Sequence, residues 1–173
     1  FCMLLLLLSC GMRVSELAGL NLKDVNGETV RVLGKGNKER ILYLNHACQQ
    51  AIQDYLSVRD GTNVHPKDQD ALFLSRNHRR ISVDSIQILV KRTCSAAGLD
   101  PERYSPHKLR HTAATLMLQN GVDVRTLQEV LGHESLNTTQ IYTHIDNEGL
   151  RTAARANPIG RYKKQESATN DGE

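Results

Sequence analysis

Apolar positions set the first reading of this chain. The opening run "FCMLLLLLSCG" is continuous rather than periodic, the pattern of a helix buried on every side. Gly11 interrupts it, and a short second helix is expected over Ser15 to Leu20. In "TVRVLGKGNKERILYL", Val30 and Val32 alternate with Arg31 and Leu33, and Ile41 and Tyr43 with Leu42 and Leu44. Period two on both sides of a turn at Gly34 to Asn37 predicts a β-hairpin with a basic tip. "HACQQAIQDYLSVR" returns to helical spacing through Ala47, Ala51, Ile52, Tyr55 and Leu56.

Residues 60–71 read as a polar loop, with "LFLS" and "RRI" as short extended pieces. A helix is expected from Ser82 to Gly98, and Ser105-Pro106 is a strong helix start, serine at the N-cap and proline in the first turn. Two more helices are expected over Val122 to Leu131, closed by Gly132, and Leu136 to about Tyr142. A last one covers Asn147 to Ala156 and stops before Pro158. The ending "KKQESATNDGE" is polar and expected to be disordered. The pattern predicts a mainly α fold with a small antiparallel sheet, one domain over residues 1–160 and a polar tail over 161–173.

Composition narrows the class without naming a function. The 173 residues are 39% hydrophobic and 24% charged, as in an ordinary globular domain. A net charge of +3 permits nucleic-acid binding and does not demand it. The cysteines Cys2, Cys10, Cys48 and Cys94 form no C-x-x-C pair, so neither a zinc ribbon nor a disulfide framework is expected, and a reducing cytoplasm fits. Read as a secretion signal, the apolar start lacks a preceding basic segment and an initiator Met. Its apolar stretch is also far shorter than the about 20 residues that cross a bilayer. No membrane association is expected, and the chain reads as a piece of a longer protein.

Chemistry concentrates in two places. In "SPHKLRHT", Arg110 lies about 60° to one side of His107 on a helical wheel and His111 about 40° to the other. All three fall in the first turns of a helix whose free N–H groups and dipole favour an anion. The guanidinium can grip two phosphate oxygens at once. The alternatives are a zinc pair at His107 and His111, which lacks the glutamate of H-E-x-x-H, and two structural histidines. In "LGHESLNTTQIYTH", Tyr142 stands nine residues after His133 and two before His144. It is either a half-buried ring or a nucleophile. Arg13 requires a partner if buried, and Glu16 three residues on can supply it. Lys35 at the hairpin tip is either a solvated turn lysine or, with Lys38 and Arg40, part of a basic prong for phosphates.

The motifs "GMRVSEL", "GKGNKER", "HKLRHTAATLMLQNG", "LQEVLGH" and "TTQIYTH", in that order, resemble the tyrosine recombinase (phage integrase) family, its Xer-like branch in particular. The resemblance covers roughly residues 1–145. It implies that Arg13 and Arg110 hold the non-bridging oxygens of a scissile DNA phosphate, joined by His107 and His133. Lys35 would protonate the leaving 5′ oxygen, and Tyr142 would form a 3′-phosphotyrosyl bond. Glu16, His111 and His144 match supporting positions, and Lys38 and Arg40 are expected on DNA. Residue chemistry agrees, because a tyrosine of pKa about 10 needs a base and positive charge to activate it. A diester transition state gathers negative charge that arginines and histidines answer. No clustered carboxylates suggest a divalent metal, and religation from a phosphotyrosine needs no ATP, so no cofactor is expected.

Double-stranded DNA and further recombinase subunits, forming a tetramer on it, are the implied partners, in a bacterial or phage-encoded cytoplasmic enzyme. A type IB-like topoisomerase and a DNA-binding module without catalysis are the competing readings. Cys10 and Met12 stand where the family more often has Thr and Leu, and its N-terminal DNA-clamping domain has no counterpart here. In "NEGLRTAARANPIGRY", Leu150, Ala153, Ala154 and Ile159 form a narrow apolar stripe. In the family this segment docks on a neighbouring subunit; folding back on its own domain is the alternative.

Overall fold

Helix α1 (Cys2–Cys10) runs through the centre of the molecule, with Leu6 and Leu7 wholly buried. The computed structural model describes residues 1–132 and 147–161. Around α1 pack α3 (His46–Val58), α5 (Pro106–Gln119) and a 3₁₀ turn at Pro158–Arg161. This explains the unbroken apolar run, since a helix enclosed on several sides has no face for polar residues. Among the described residues, no helix is long and apolar enough to cross a membrane. All four cysteines are buried and free, packing as small apolar side chains.

Gly11 closes α1 in the left-handed conformation at φ 61°. A Cβ there would stand 2.7 Å from Leu131 Cδ2, so both backbone and packing require glycine. Helix α2 (Val14–Gly19) follows, one residue earlier than expected at its start. The sheet is antiparallel in the order β1 (Val25–Asn26), β2 (Thr29–Leu33), β3 (Glu39–Tyr43). The hairpin pairs Val32 with Arg40 and Val30 with Leu42. Its two-residue first strand escaped the sequence reading because so short a stretch carries no periodicity. The expected extended pieces near residues 72–81 make only isolated bridges, Asn21 with Ala71 and Leu74 with Arg80.

The helix starts follow their caps. The Ser82 hydroxyl accepts the Ser85 N–H and opens α4 (Val83–Ala96). The Ser105 hydroxyl accepts the Lys108 N–H, and Pro106 sits in the first turn of α5. Helix α6 (Val124–Leu131) begins two residues later than the apolar pattern suggested, because Asp123 accepts the Arg125 and Thr126 N–H groups and sets the N-cap there. The expected helix from Leu136 to Tyr142 and most of the polar tail lie outside the described residues.

Helix α7 (Asn147–Ala156) packs on α6 and β3 of its own domain, with Ala153 wholly buried. Asn157 fastens its end. Its Nδ2 donates to Leu8 O at 2.8 Å and Ser9 O at 3.2 Å, while its Oδ1 accepts the Ile159 N–H at 3.1 Å. In this single chain, residues 147–161 fold back on their own domain, the arrangement of the cis alternative. Asn157→Ala should destabilise the monomer by about 1–3 kcal/mol, since it leaves buried carbonyls of α1 without a donor. Chemical denaturation of the purified chain measures this, and an unchanged midpoint would contradict it.

Candidate active site

Three arginines from three parts of the chain converge on the C-terminal end of α6. Arg40 Nε donates to Val130 O at 3.0 Å, Arg110 Nη2 to Leu131 O at 2.6 Å, and Arg13 Nη2 to Gly132 O at 2.8 Å. The last carbonyls of a helix lack partners within it and carry its negative dipole end, so cations suit them. Each arginine arrives by a local device. Gly11 turns the chain out of α1 to place Arg13 at the N-cap of α2. Strand alternation places Arg40 on the sheet face of Leu42, and Arg110 lies on the buried face of α5.

One carboxylate organises them. Glu16, with a side chain only 2% exposed, accepts the Arg13 N–H and Arg13 Nη1, both at 2.8 Å. It also accepts Arg40 Nη1 at 2.7 Å and Arg40 Nη2 at 2.9 Å. Burial alone pushes the Glu16 carboxyl up; the hydrogen bonds and charge of Arg40 and Arg13 outweigh this and hold it below its ordinary value. The pairing of Arg13 with Glu16 read from their spacing is present.

Arg110 is treated differently. It is 7% exposed, and its hydrogen bonds go to the neutral carbonyls of Gly11 and Leu131. Burial first, then the like charge of Arg13, push its guanidinium down to about 10. Three guanidinium groups around one carboxylate leave this pocket with excess positive charge, and a phosphate diester would answer it.

His107 and His111 are both exposed on α5. Among the described residues, no hydrogen bond joins the His111 imidazole to His107 or Arg110. The backbone of Lys35 begins a 3₁₀ turn, Lys35–Asn37, closed by the Gly34 N–H donating to Lys38 O at 2.8 Å. Lys38 is exposed. Arg40 is placed differently from Lys38. Expected beside Lys38 in a prong for DNA, it points inward, with a side chain 14% exposed and its donors committed to Glu16 and Val130. Alternation carried the signal, since Arg40, Leu42 and Leu44 share one face of the strand. His133, Tyr142 and His144 lie outside the described residues. Among those described, no group of His, Cys, Asp and Glu could hold a metal ion.

The profile described as "Phage integrase family" matches residues 1–148. The tyrosine recombinase XerC of Caldanaerobacter subterraneus subsp. tengcongensis is 52% identical over 162 residues, covering 93% of this chain and 45% of that protein. The crystal structure of XerA recombinase superposes with a TM-score of 0.68 at 37% identity, covering 85% of this chain and 53% of that one. The site-specific recombinase XerH, solved bound to difH substrate as a pre-cleavage complex, gives 0.66 at 32% identity, covering 85% and 43%. The chain thus spans about half the length of the curated relatives it matches.

The buried carboxylate predicts a pH dependence. Because the folded pKa of Glu16 lies below its unfolded value, its stabilisation is complete above the ordinary glutamate range, about 4.3. That stabilisation is lost as pH falls through the lower folded value. Glu16→Gln should cost roughly 3 kcal/mol near neutral pH, having removed the anion between two cations. It should also lose less stability than the parent on acidification. Denaturation midpoints from pH 7 to pH 3 test both, and parallel acid limbs would refute the assignment.

Proposed function

Because the chain belongs to the phage integrase family and has the tyrosine recombinase catalytic-domain fold, we propose that it is the catalytic part of a site-specific DNA recombinase. Its substrate is a double-stranded DNA site. The Tyr142 oxygen attacks a phosphate of one strand, the bond to the 5′ oxygen breaks, and a 3′-phosphotyrosyl link forms. Lys35 delivers the proton that the departing 5′ oxygen takes up. Attack by the 5′ hydroxyl of a partner strand reverses the step and releases the tyrosine, so neither metal nor ATP enters. Further subunits, as a tetramer on DNA, bring the partner strands together in the cytoplasm.

The observation that carries this reading is the pairing of Arg110 with Arg13. Arg110 is a buried cation bonded to neutral carbonyls beside a second cation, at the N-terminal part of a helix that also bears His107. Such a pocket suits the charge that a phosphodiester gathers in its transition state, and each such donor is worth on the order of 10²–10³ in rate. His107 and His133 add hydrogen bonds to the same phosphate, His107 also exchanging the tyrosine proton. Glu16 holds Arg13 in place, His111 and His144 support the site once DNA is bound, and Lys38 approaches the DNA backbone.

Nicked duplexes of randomised sequence, selected for covalent adduct, supply the test substrate. The parent should form adduct on a restricted set of sequences, and Tyr142→Phe should form none while binding duplex with unchanged affinity. Adduct on every duplex would indicate a topoisomerase, binding without adduct a non-catalytic module, and adduct on another tyrosine a wrong nucleophile.

A further inference from the structure

The inward turn of Arg40 leaves a charged side chain with no part in the proposed chemistry, yet its surroundings tie it to two of the residues that have one. Its fork spans both oxygens of Glu16 and its Nε holds Val130 O. The same guanidinium lies against the bare backbone of two glycines. A Cβ built on Gly132 would stand 3.0 Å from Nη1, 3.1 Å from Cζ and 3.2 Å from Nε, and one on Gly34 would stand 3.6 Å from Nη1. Gly34 precedes Lys35, and Gly132 precedes His133.

We propose that Arg40 is a positioning residue, which sets the Lys35 turn and the end of α6 against the Glu16–Arg13 pair and does not contact DNA. The inference rests on the recombinase reading above. Its physical basis is geometric. The carboxylate that orients Arg13 is the one that Arg40 grips, so the hairpin turn and the phosphate clamp share a reference point. Both donor pairs of the fork are needed for that, because a single hydrogen bond leaves the turn free to pivot about it. Lysine keeps the charge but cannot bond both carboxylate oxygens and the Val130 carbonyl in one plane. A phosphate contact by Arg40 would require breaking the fork and leaving the buried Glu16 carboxylate with Arg13 as its remaining partner.

The experiment compares Arg40→Lys and Arg40→Gln with the parent and Lys35→Ala in three measurements. These are the thermal midpoint, the salt dependence of binding to a non-specific duplex, and single-turnover adduct formation on the selected nicked substrate. The last is run with an ordinary 5′ oxygen and with a bridging 5′ sulfur, a leaving group that needs no proton. Displacing a catalytic group by about 1 Å costs on the order of 10²-fold, and a loss of that size is expected in both Arg40 variants on the oxygen substrate. The sulfur substrate should recover most of it, as it should for Lys35→Ala, and the salt slope should match the parent. A purely structural role would lower the thermal midpoint without this leaving-group selectivity.

A salt slope reduced by about 1 would make Arg40 a phosphate contact and overturn the proposal. Equal losses on both leaving groups in the Arg40 variants, with Lys35→Ala rescued, would overturn it while leaving the recombinase reading intact. Lys35→Ala without rescue would instead remove Lys35 as the acid, and the proposal with it. Should Arg40→Gln unfold, Arg40→Lys carries the comparison, and full activity in that variant overturns the need for the fork.

Discussion

The Glu16 carboxylate is the constraint on which the site depends. A buried anion and a buried cation are each costly alone, and a pair is tolerated only where geometry and hydrogen bonding are nearly complete. Glu16 meets that condition with four donors from Arg13 and Arg40. The arginines then use remaining donors on successive carbonyls at the end of α6. One small ionic cluster thereby fixes the relative placement of α2, β3, α5 and α6. The glycines at its edges follow from the same requirement. Gly11 admits Leu131 closely, and Gly132 admits the Arg40 guanidinium, each at a positive φ.

The cluster divides the candidate site into a rigid part and an exposed part. Arg110 and Glu16 are buried, locked by bonds to backbone or to each other's neighbours. His107 and Lys38 are exposed. Counted with Arg13 and Arg40, the cluster holds excess positive charge in a place only partly screened by water, where an anion gains more than in bulk solvent. A DNA phosphate is large, charged and external, so groups that meet it must be partly open, while those that aim its partners can be enclosed. The depressed pKa of Arg110 records what that enclosure costs before any anion arrives.

Helix α7 shows how one polar contact fixes where an apolar stripe packs within the single chain. Its apolar stripe suits any apolar surface, on its own domain or on a neighbour's. The deciding contact is polar. Asn157 reaches the carbonyls of Leu8 and Ser9, whose groups near the end of α1 need a donor there. A short helix that is marginal alone is held in cis by this pair of bonds and by the burial of Ala153.

Local rules made much of the fold legible. Serine caps at Ser82 and Ser105, the alternation of the β2–β3 hairpin and the helical spacing of α3 each act over a few residues, so they show in the sequence itself. The ordered motifs pointed to the family and to Arg13, Glu16 and Arg110. Pairing of Arg13 with Glu16 was also legible, being a matter of three positions on one helix turn. The inward turn of Arg40 was not legible, because its partners lie 24 and 90 residues away and a turn-proximal arginine reads as part of a basic prong without them. The cis docking of α7 depended likewise on a bond spanning 149 residues. Sequence alone determined most of the described helices, the β2–β3 hairpin and the chemical types at the site. Tertiary structure decided which charges face inward, because burial and pairing are properties of the assembled chain and of no single segment.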